Sequence, residues 1–507
     1  MTKFAVAAGH DLTADAAATV LAEGGCAVDA AIAAAAMAMI AEPVLAGLLG
    51  GGFLIVREPG GQARLLDFFV HTPSRAVPPE DLDFQEKLVE FGTATQAFHI
   101  GAGTIAVPGV APGLAEAHAR YGRIPLPQLL APACEAARKG VEVTGFQAKL
   151  SQIVSAILEA SPSARALWMQ DDKLPEAGAI ATNPALADVL EVYGHEGPRF
   201  VTEGEVAQAL LELARNGGQI TAEDLKTYRP EWRAPIATQR GPARMHLNPP
   251  PALGGALVAF GLSACPNDPS AAQVTETLEA TLTARLQADL DMDAQRGTQR
   301  LLDPELLATY RNQLARAPKS TRGTTHISII DGEGMGAALT LSNGEGCGHV
   351  LPGTGIMPNN MLGEDDLLPA GMHSWTPSQR LGSMMCPMAV DWPDGGFAVL
   401  GSGGSNRIRS ALVQVVIGLL DHGLPPEEAV SRARVHVDGE DPLSPTVDFE
   451  DLGSEQVREE ILARWPEARP WSEPSMFFGG VHIARADGRG GFQAAGDPRR
   501  SGAVRVQ

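Results

Sequence analysis

The chain has 507 residues and a formal net charge of -21, with a pI near 5.0. That balance argues against nucleic acid or an anionic membrane surface as a partner, since both repel an acidic protein at long range. The length suits either several ordinary domains or one large layered α/β unit. Five cysteines, Cys26, Cys134, Cys265, Cys347 and Cys386, form an odd, scattered set without a CxxC pair, so neither a disulfide framework nor a zinc site is expected.

The start of the chain runs through polar Gly9-His10-Asp11 with no continuous apolar stretch, which predicts no secretory signal and a cytoplasmic location. Helical patterns follow at 14–24 and 27–42. Within the second, the alanine-rich stretch 30–41 falls short of the about 20 apolar residues that a membrane span needs. Its small side chains predict a helix packed closely inside the protein. Gly50-Gly51-Gly52 leads into a buried strand at 53–56, which pairs with 63–69 across the Pro59-Gly60-Gly61 turn. Helices dominate 113–218. The polar stretch 317–323 has the composition of an exposed loop, and beyond it the pattern changes to strands: 325–330, then 336–341, then a hairpin of 388–391 with 397–400 around Asp394-Gly395-Gly396. A helix at 408–420 starts directly after Gly401-Ser402-Gly403-Gly404-Ser405-Asn406.

Gly323-Thr324-Thr325-His326 opens the first strand of that second region. A threonine in mid-chain is inert, and a β-branched pair is ordinary in a strand. If the bond before Thr324 is cut, however, the freed α-amino group sits beside its own hydroxyl and serves as a built-in base. Such an amine titrates near about 7.7, against about 10.4 for lysine, so part of it is neutral at cytoplasmic pH and no separate histidine is required.

Several segments occur together in one order along nearly the whole chain: Gly24-Gly25-Cys26-Ala27-Val28-Asp29-Ala30-Ala31, 47–53, Asn248-Pro249-Pro250, Thr324-Thr325-His326, Pro352-Gly353-Thr354-Gly355-Ile356 with Asn359-Asn360, 401–407, and Asp497-Pro498-Arg499. As a set they resemble the gamma-glutamyltranspeptidase family of N-terminal-nucleophile hydrolases. The resemblance implies a four-layered αββα sandwich and self-cleavage into a large (1–323) and a small (324–507) fragment that stay associated as one interlocked domain. By the same resemblance Thr324 is the nucleophile, and Ser342 stands where the family has a second threonine that hydrogen-bonds it. Gly404 and Ser405, or Gly403 and Gly404 in a shifted register, supply oxyanion-hole N–H groups. Asn343, Glu364 and Ser383 hold substrate. The cut lies between Gly323 and Thr324, where the lack of a Cβ on Gly323 suits a strained peptide.

Three departures bear on the substrate. Phe69, in Asp67-Phe68-Phe69, stands where the family has an arginine that grips the γ-glutamyl α-carboxylate; hydrogen bonds to a charged group are worth about 1.5–3 kcal/mol, so affinity for that carboxylate should drop by about one to two decades unless Arg380 or Arg407 substitutes. The family's serine pair reads Ser383-Met384. The segment 361–380 is shorter than the lid of many relatives, which predicts an open cleft walled by Trp375 and hydrolysis in preference to transfer. Glu364, in contrast, keeps an acidic group for the substrate amine.

The twelve histidines show no ligand spacing, and no metal or cofactor is expected. Cys347 beside His349 reads as structural, and Asp438, Glu440 and Asp441, with Glu450-Asp451 and Glu455 further on, as a solvated acidic surface. Three functions follow in order: hydrolysis, and less efficiently transfer, of γ-glutamyl groups such as that of glutathione through an acyl-Thr324 ester; a related amidase or acylase acting on a glutaryl-like or apolar acyl group; and an unprocessed, non-catalytic binder of a small amino compound.

Overall fold

The computed structural model describes residues 3–91, 94–288, 290, 292–304, 307, 323–368, 371–439 and 445–507. Most of the loop expected at 317–323, together with Glu440 and Asp441, lies outside them; Asp438 and Glu450, expected at a solvated surface, are buried instead.

Two antiparallel sheets form the centre. One has seven strands in the spatial order Ala503–Val506, Ala5–Ala8, Thr325–Ile330, Gly336–Ser342, Gly51–Arg57, Ala63–Phe68 and Glu231–Arg233. The other has six, in the order Phe492–Ala495, Gly480–Ala486, Phe397–Gly403, Met388–Asp391, Ala243–Leu247 and Ile236–Arg240. They stack face to face, with Thr325–Ile330 and Gly336–Ser342 against Phe397–Gly403. Covered on both faces, these central strands are buried at every residue, the polar Thr325, His326 and Ser328 as well as the apolar ones. Helices Asp11–Ala22 and Ala27–Ala41 cover the seven-stranded sheet, and Gly254–Ala264 and Arg407–Leu420 cover the other. This is the αββα sandwich expected.

The alanine-rich helix is buried along nearly its whole length. Its side chains are too small to hold it off the sheet, so the helix axis lies close above the strands that carry the site. Its start is fixed by a capping box between Cys26 and Asp29; the Asp29 carboxylate also accepts from the Arg123 N–H at 3.0 Å. At its other end it delivers Glu42 into the interior, 1% exposed.

The strands Ala5–Ala8 and Ala503–Val506 are not among the sequence expectations. Four residues are too few for a period to register, and they become strands by pairing with distant partners, Ala5 with Ile330 and with Val506. Segment 361–380 also departs from expectation. Its described residues include two single turns, Met361–Gly363 and Asp365–Leu367, and the buried Met361 and Leu367 line the space beside Thr324. Trp375 packs against the core between the sheets and their helices instead of walling the site.

Candidate active site

Thr324 stands immediately before the strand Thr325–Ile330 and is 5% exposed. The Gly323–Thr324 peptide is held from several sides. Gly323 N–H donates to Glu345 Oε1 at 2.9 Å, the Ser342 hydroxyl donates to the Gly323 carbonyl at 2.9 Å, and Arg500 Nη1 donates to the Thr324 carbonyl at 3.1 Å. Gly403, last in its strand, lies so close that a Cβ there would overlap the Thr324 carbonyl; its glycine is a matter of space. Gly323 too is confined rather than strained, since an added Cβ would meet Leu45 at 3.1 Å and the Gly344 carbonyl at 3.2 Å.

Gly404 and Ser405 form the turn between Phe397–Gly403 and the helix Arg407–Leu420. Both have positive φ, 117° and 49°, a conformation that turns successive N–H groups outward ahead of a helix. Among the described residues neither N–H has an acceptor. Gly404 faces one cavity and Ser405 another, and Gly323 lines both. The Ser405 hydroxyl donates to Asp366 Oδ2 at 3.2 Å.

The cavity on the Ser405 side measures about 30 Å³ and holds Thr324, Ser342, Glu364, Asp366, Ser383 and Phe69, closed by Met361, Leu367, Met384 and Met385. Among the described residues, two carboxylates and no cation line it. Phe69 is stacked on Phe53, centroids 5.4 Å apart, and its carbonyl is fixed by the Tyr228 hydroxyl at 2.7 Å and by Arg380. Arg380 does not turn in to replace the family's arginine. Its guanidinium pairs with Asp67 at 3.4 Å and Glu231 at 3.5 Å and lies over the Tyr228 ring. Arg407 lies 4.5 Å over the Phe477 ring and lines the other cavity, of about 160 Å³, with Gly404, Arg500, Leu45, Leu150 and Trp471.

Of the residues expected at the site, Thr324, Ser342, Gly404, Ser405, Glu364, Ser383, Gly323 and Phe69 are brought together, and Gly403 packs against them. Asn343 is not. Its amide donates to the Met357 carbonyl at 3.1 Å and it lines a different pocket, because successive residues at a strand end point to opposite faces. The family's other polar residues act as scaffolding: Asn359 bridges Leu49, Ala106 and Met361, Asn360 accepts from the Glu345 N–H at 3.0 Å, and Asn248 ties down the Met385 carbonyl at 2.9 Å.

Sequence reasoning missed Glu42 and Arg500. The Glu42 carboxylate accepts from Thr13 and, at 2.6 Å, from the hydroxyl of Thr325; burial raises its pKa. Burial lowers that of Arg500 to about 10, which leaves it charged at neutral pH. Glu42 read only as a helix boundary, and Arg500 lies just beyond the Asp497-Pro498-Arg499 segment; no local pattern marks either.

Known proteins are similar to this chain. The family model described as gamma-glutamyltranspeptidase matches residues 13–506. The chain is 29% identical to the acylase ACY 1 proenzyme of Pseudomonas sp. (strain V22), over 90% of this chain and 86% of that one. It is 28% identical to the glutathione hydrolase proenzyme of Escherichia coli (strain K12), over 82% and 78% respectively. Among solved structures, cephalosporin acylase from Bacillus halodurans superposes with a TM-score of 0.85 at 23% identity, covering 99% of this chain and 96% of that one, and so shares the fold. With a family match over nearly its whole length, the chain belongs to the gamma-glutamyltranspeptidase family.

Proposed function

We propose that the chain cuts itself between Gly323 and Thr324 and that the freed Thr324 hydrolyses amides of short acyl groups that carry no carboxylate. In the first step the Thr324 hydroxyl adds to the Gly323 carbonyl carbon. Negative charge develops on the oxygen that Ser342 already contacts, and collapse with loss of the Thr324 nitrogen gives an ester, which water hydrolyses to the Gly323 carboxylate and a free Thr324. In turnover the α-amino group takes the hydroxyl proton as Thr324 attacks the substrate carbonyl, the Gly404 and Ser405 N–H groups donate to the new oxyanion, the C–N bond breaks as the amine leaves with that proton, and water then hydrolyses the acyl-Thr324 ester to release the acid and restore Thr324.

One observation carries the choice of acyl group: among the described residues the cavity beside Thr324 is lined by Glu364 and Asp366 with Phe69 and Met384, and by no cation. A substrate carboxylate there meets like charge and an apolar wall, whereas an uncharged chain fits both. Cleavage of γ-glutamyl amides such as glutathione is the second reading, favoured by Glu364 as an anchor for the α-amino group.

Turnover of butyryl, γ-glutamyl and glutaryl anilides separates the two. On the first reading kcat/KM falls in that order, with glutaryl lower than butyryl by about one to two decades. A γ-glutamyl anilide turned over as well as the butyryl one would sink it in favour of the second.

A further inference from the structure

The cavity on the Gly404 side of Gly323 is the larger of the two that meet there. At about 160 Å³ it is close to the about 150 Å³ of an engineered apolar cavity that stays dry and binds benzene. Its walls include Leu45, Leu150, Ile153, Met476 and the stacked rings of Trp471 and Phe477, centroids 4.8 Å apart. The polar ends of the other lining residues are engaged. Trp471 Nε1 donates to Asp448 Oδ1 at 3.0 Å, and Ser475 Oγ accepts from the Phe477 N–H at 3.3 Å. Arg407 lies over the Phe477 ring, Arg500 reaches the Thr324 carbonyl, and Glu345 takes the Gly323 N–H. Lys149 is exposed. A ligand in this cavity therefore meets an apolar, partly aromatic space about the size of one ring.

Gly404 and Ser405 are consecutive, yet each lines a different cavity. An amide whose carbonyl oxygen accepts from both N–H groups sends its two halves to different sides. With the acyl group beside Glu364, Asp366 and Phe69, the amine half is left for the larger cavity. We propose that this cavity binds the leaving amine and selects amines that carry one aromatic ring close to the nitrogen. The assignment rests on the function proposed for Thr324 and on its placing of the acyl group. Overall, water adds across the amide C–N bond: the acid forms on the smaller side, and the amine departs from the larger with the proton it has taken. A ring that leaves water for these walls strengthens binding by about tenfold or more, whereas a short polar amine has nothing to bury there.

The test holds the acyl group fixed and varies the amine. It compares kcat/KM for N-benzylbutyramide and N-(2-hydroxyethyl)butyramide, whose amines are closely matched in basicity, so the ratio reads the ring and not the leaving group. The benzyl amide is expected to be faster by about tenfold or more. Ile153→Phe, which fills the cavity from a partly exposed position, should bring the ratio to about one. A wild-type ratio already near one would overturn the proposal. So would a gain found only when the ring is moved to the acyl half, as in N-(2-hydroxyethyl)-3-phenylpropionamide. The same pair of amines on a γ-glutamyl group separates this proposal from the choice of acyl group, because the ratio should persist there even if γ-glutamyl is the better acyl group. Turnover of neither series would mean that the amidase reading itself has failed. Calorimetric titration with benzyl alcohol then decides: saturable binding that Ile153→Phe weakens supports the ring site, and absence of binding refutes it.

Discussion

Around Thr324 each contact has a separate chemical use, so single substitutions should fail in different ways. Thr324→Ala has no hydroxyl to add to the Gly323 carbonyl, and intact mass should show one uncut chain where the wild type gives two pieces. Ser342→Ala keeps the nucleophile but removes the hydroxyl that donates to the Gly323 carbonyl. The loss of one such donor slows acyl chemistry roughly a hundredfold or more, so cutting followed on a denaturing gel should become slow rather than vanish; an unchanged rate would remove Ser342 from the mechanism. Arg500 acts through charge. Its guanidinium reaches the Thr324 carbonyl and is thereby near the future α-amino group, which a neighbouring cation keeps neutral. Arg500→Gln should move the acidic limb of the kcat/KM profile to higher pH, by up to about one pH unit. A limb that stays in place would mean that Arg500 only holds the backbone.

What aims Arg500 is an element of its own, the turn Pro498–Arg500 near the end of the chain. Asp497 holds that turn from inside: Oδ2 accepts from Arg434 at 2.5 Å and from the Val481 N–H at 2.9 Å, and Oδ1 takes Arg499 at 3.2 Å. Arg499 also pairs with Glu450, and all four charged side chains are buried. Removing one charge from such a set strands its partners without water; Asp497→Asn should therefore lower unfolding stability by about 3–5 kcal/mol and release Arg500 from Thr324. A denaturant midpoint equal to that of the wild type would show the network to be redundant. The sequence announced this turn only as the Asp-Pro-Arg of a resemblance, because charges at 434, 450, 497 and 499 have no local period. Elements with their own period were legible: the strand at 325–330, the alanine-rich helix, and the helix after the Gly-Ser-Gly-Gly turn. Illegible were the features made by distant pairing, namely the four-residue strand Ala5–Ala8, the descent of Glu42 onto Thr325, and the side of the strand that Asn343 faces.

On the scale of the whole molecule, both sheets take strands from each side of the proposed cut. Thr325–Ile330 pairs with Ala5–Ala8, Gly336–Ser342 with Gly51–Arg57, and Met388–Asp391 with Ala243–Leu247. After cutting, the two pieces should co-elute on native size exclusion and part only in denaturant; separation under native conditions would contradict this topology. The same double layer buries histidines. His326 is held between Thr340 Oγ1 at 2.7 Å and Ser328 Oγ at 2.9 Å, in space left by the absent Cβ of Gly401. Burial and the charge of His482 keep its pKa well below the usual value. Burial likewise lowers His482 to about 4 and His71 to about 3, and His436 in the same direction. Unfolded, each takes a proton near about pH 6.5; folded, it does so only at lower pH. Between those limits the unfolded chain binds more protons, so stability must fall as the pH falls, by on the order of 3 kcal/mol for His482 alone by about pH 4. Glu42 and Asp331 oppose this, since burial raises their pKa values and the folded state takes up those protons first. Two raised carboxyls thus stand against four lowered histidines. The urea midpoint should therefore drop between about pH 7 and pH 5, and a midpoint that holds steady or rises would mean that these histidines are solvated or charged in the folded protein.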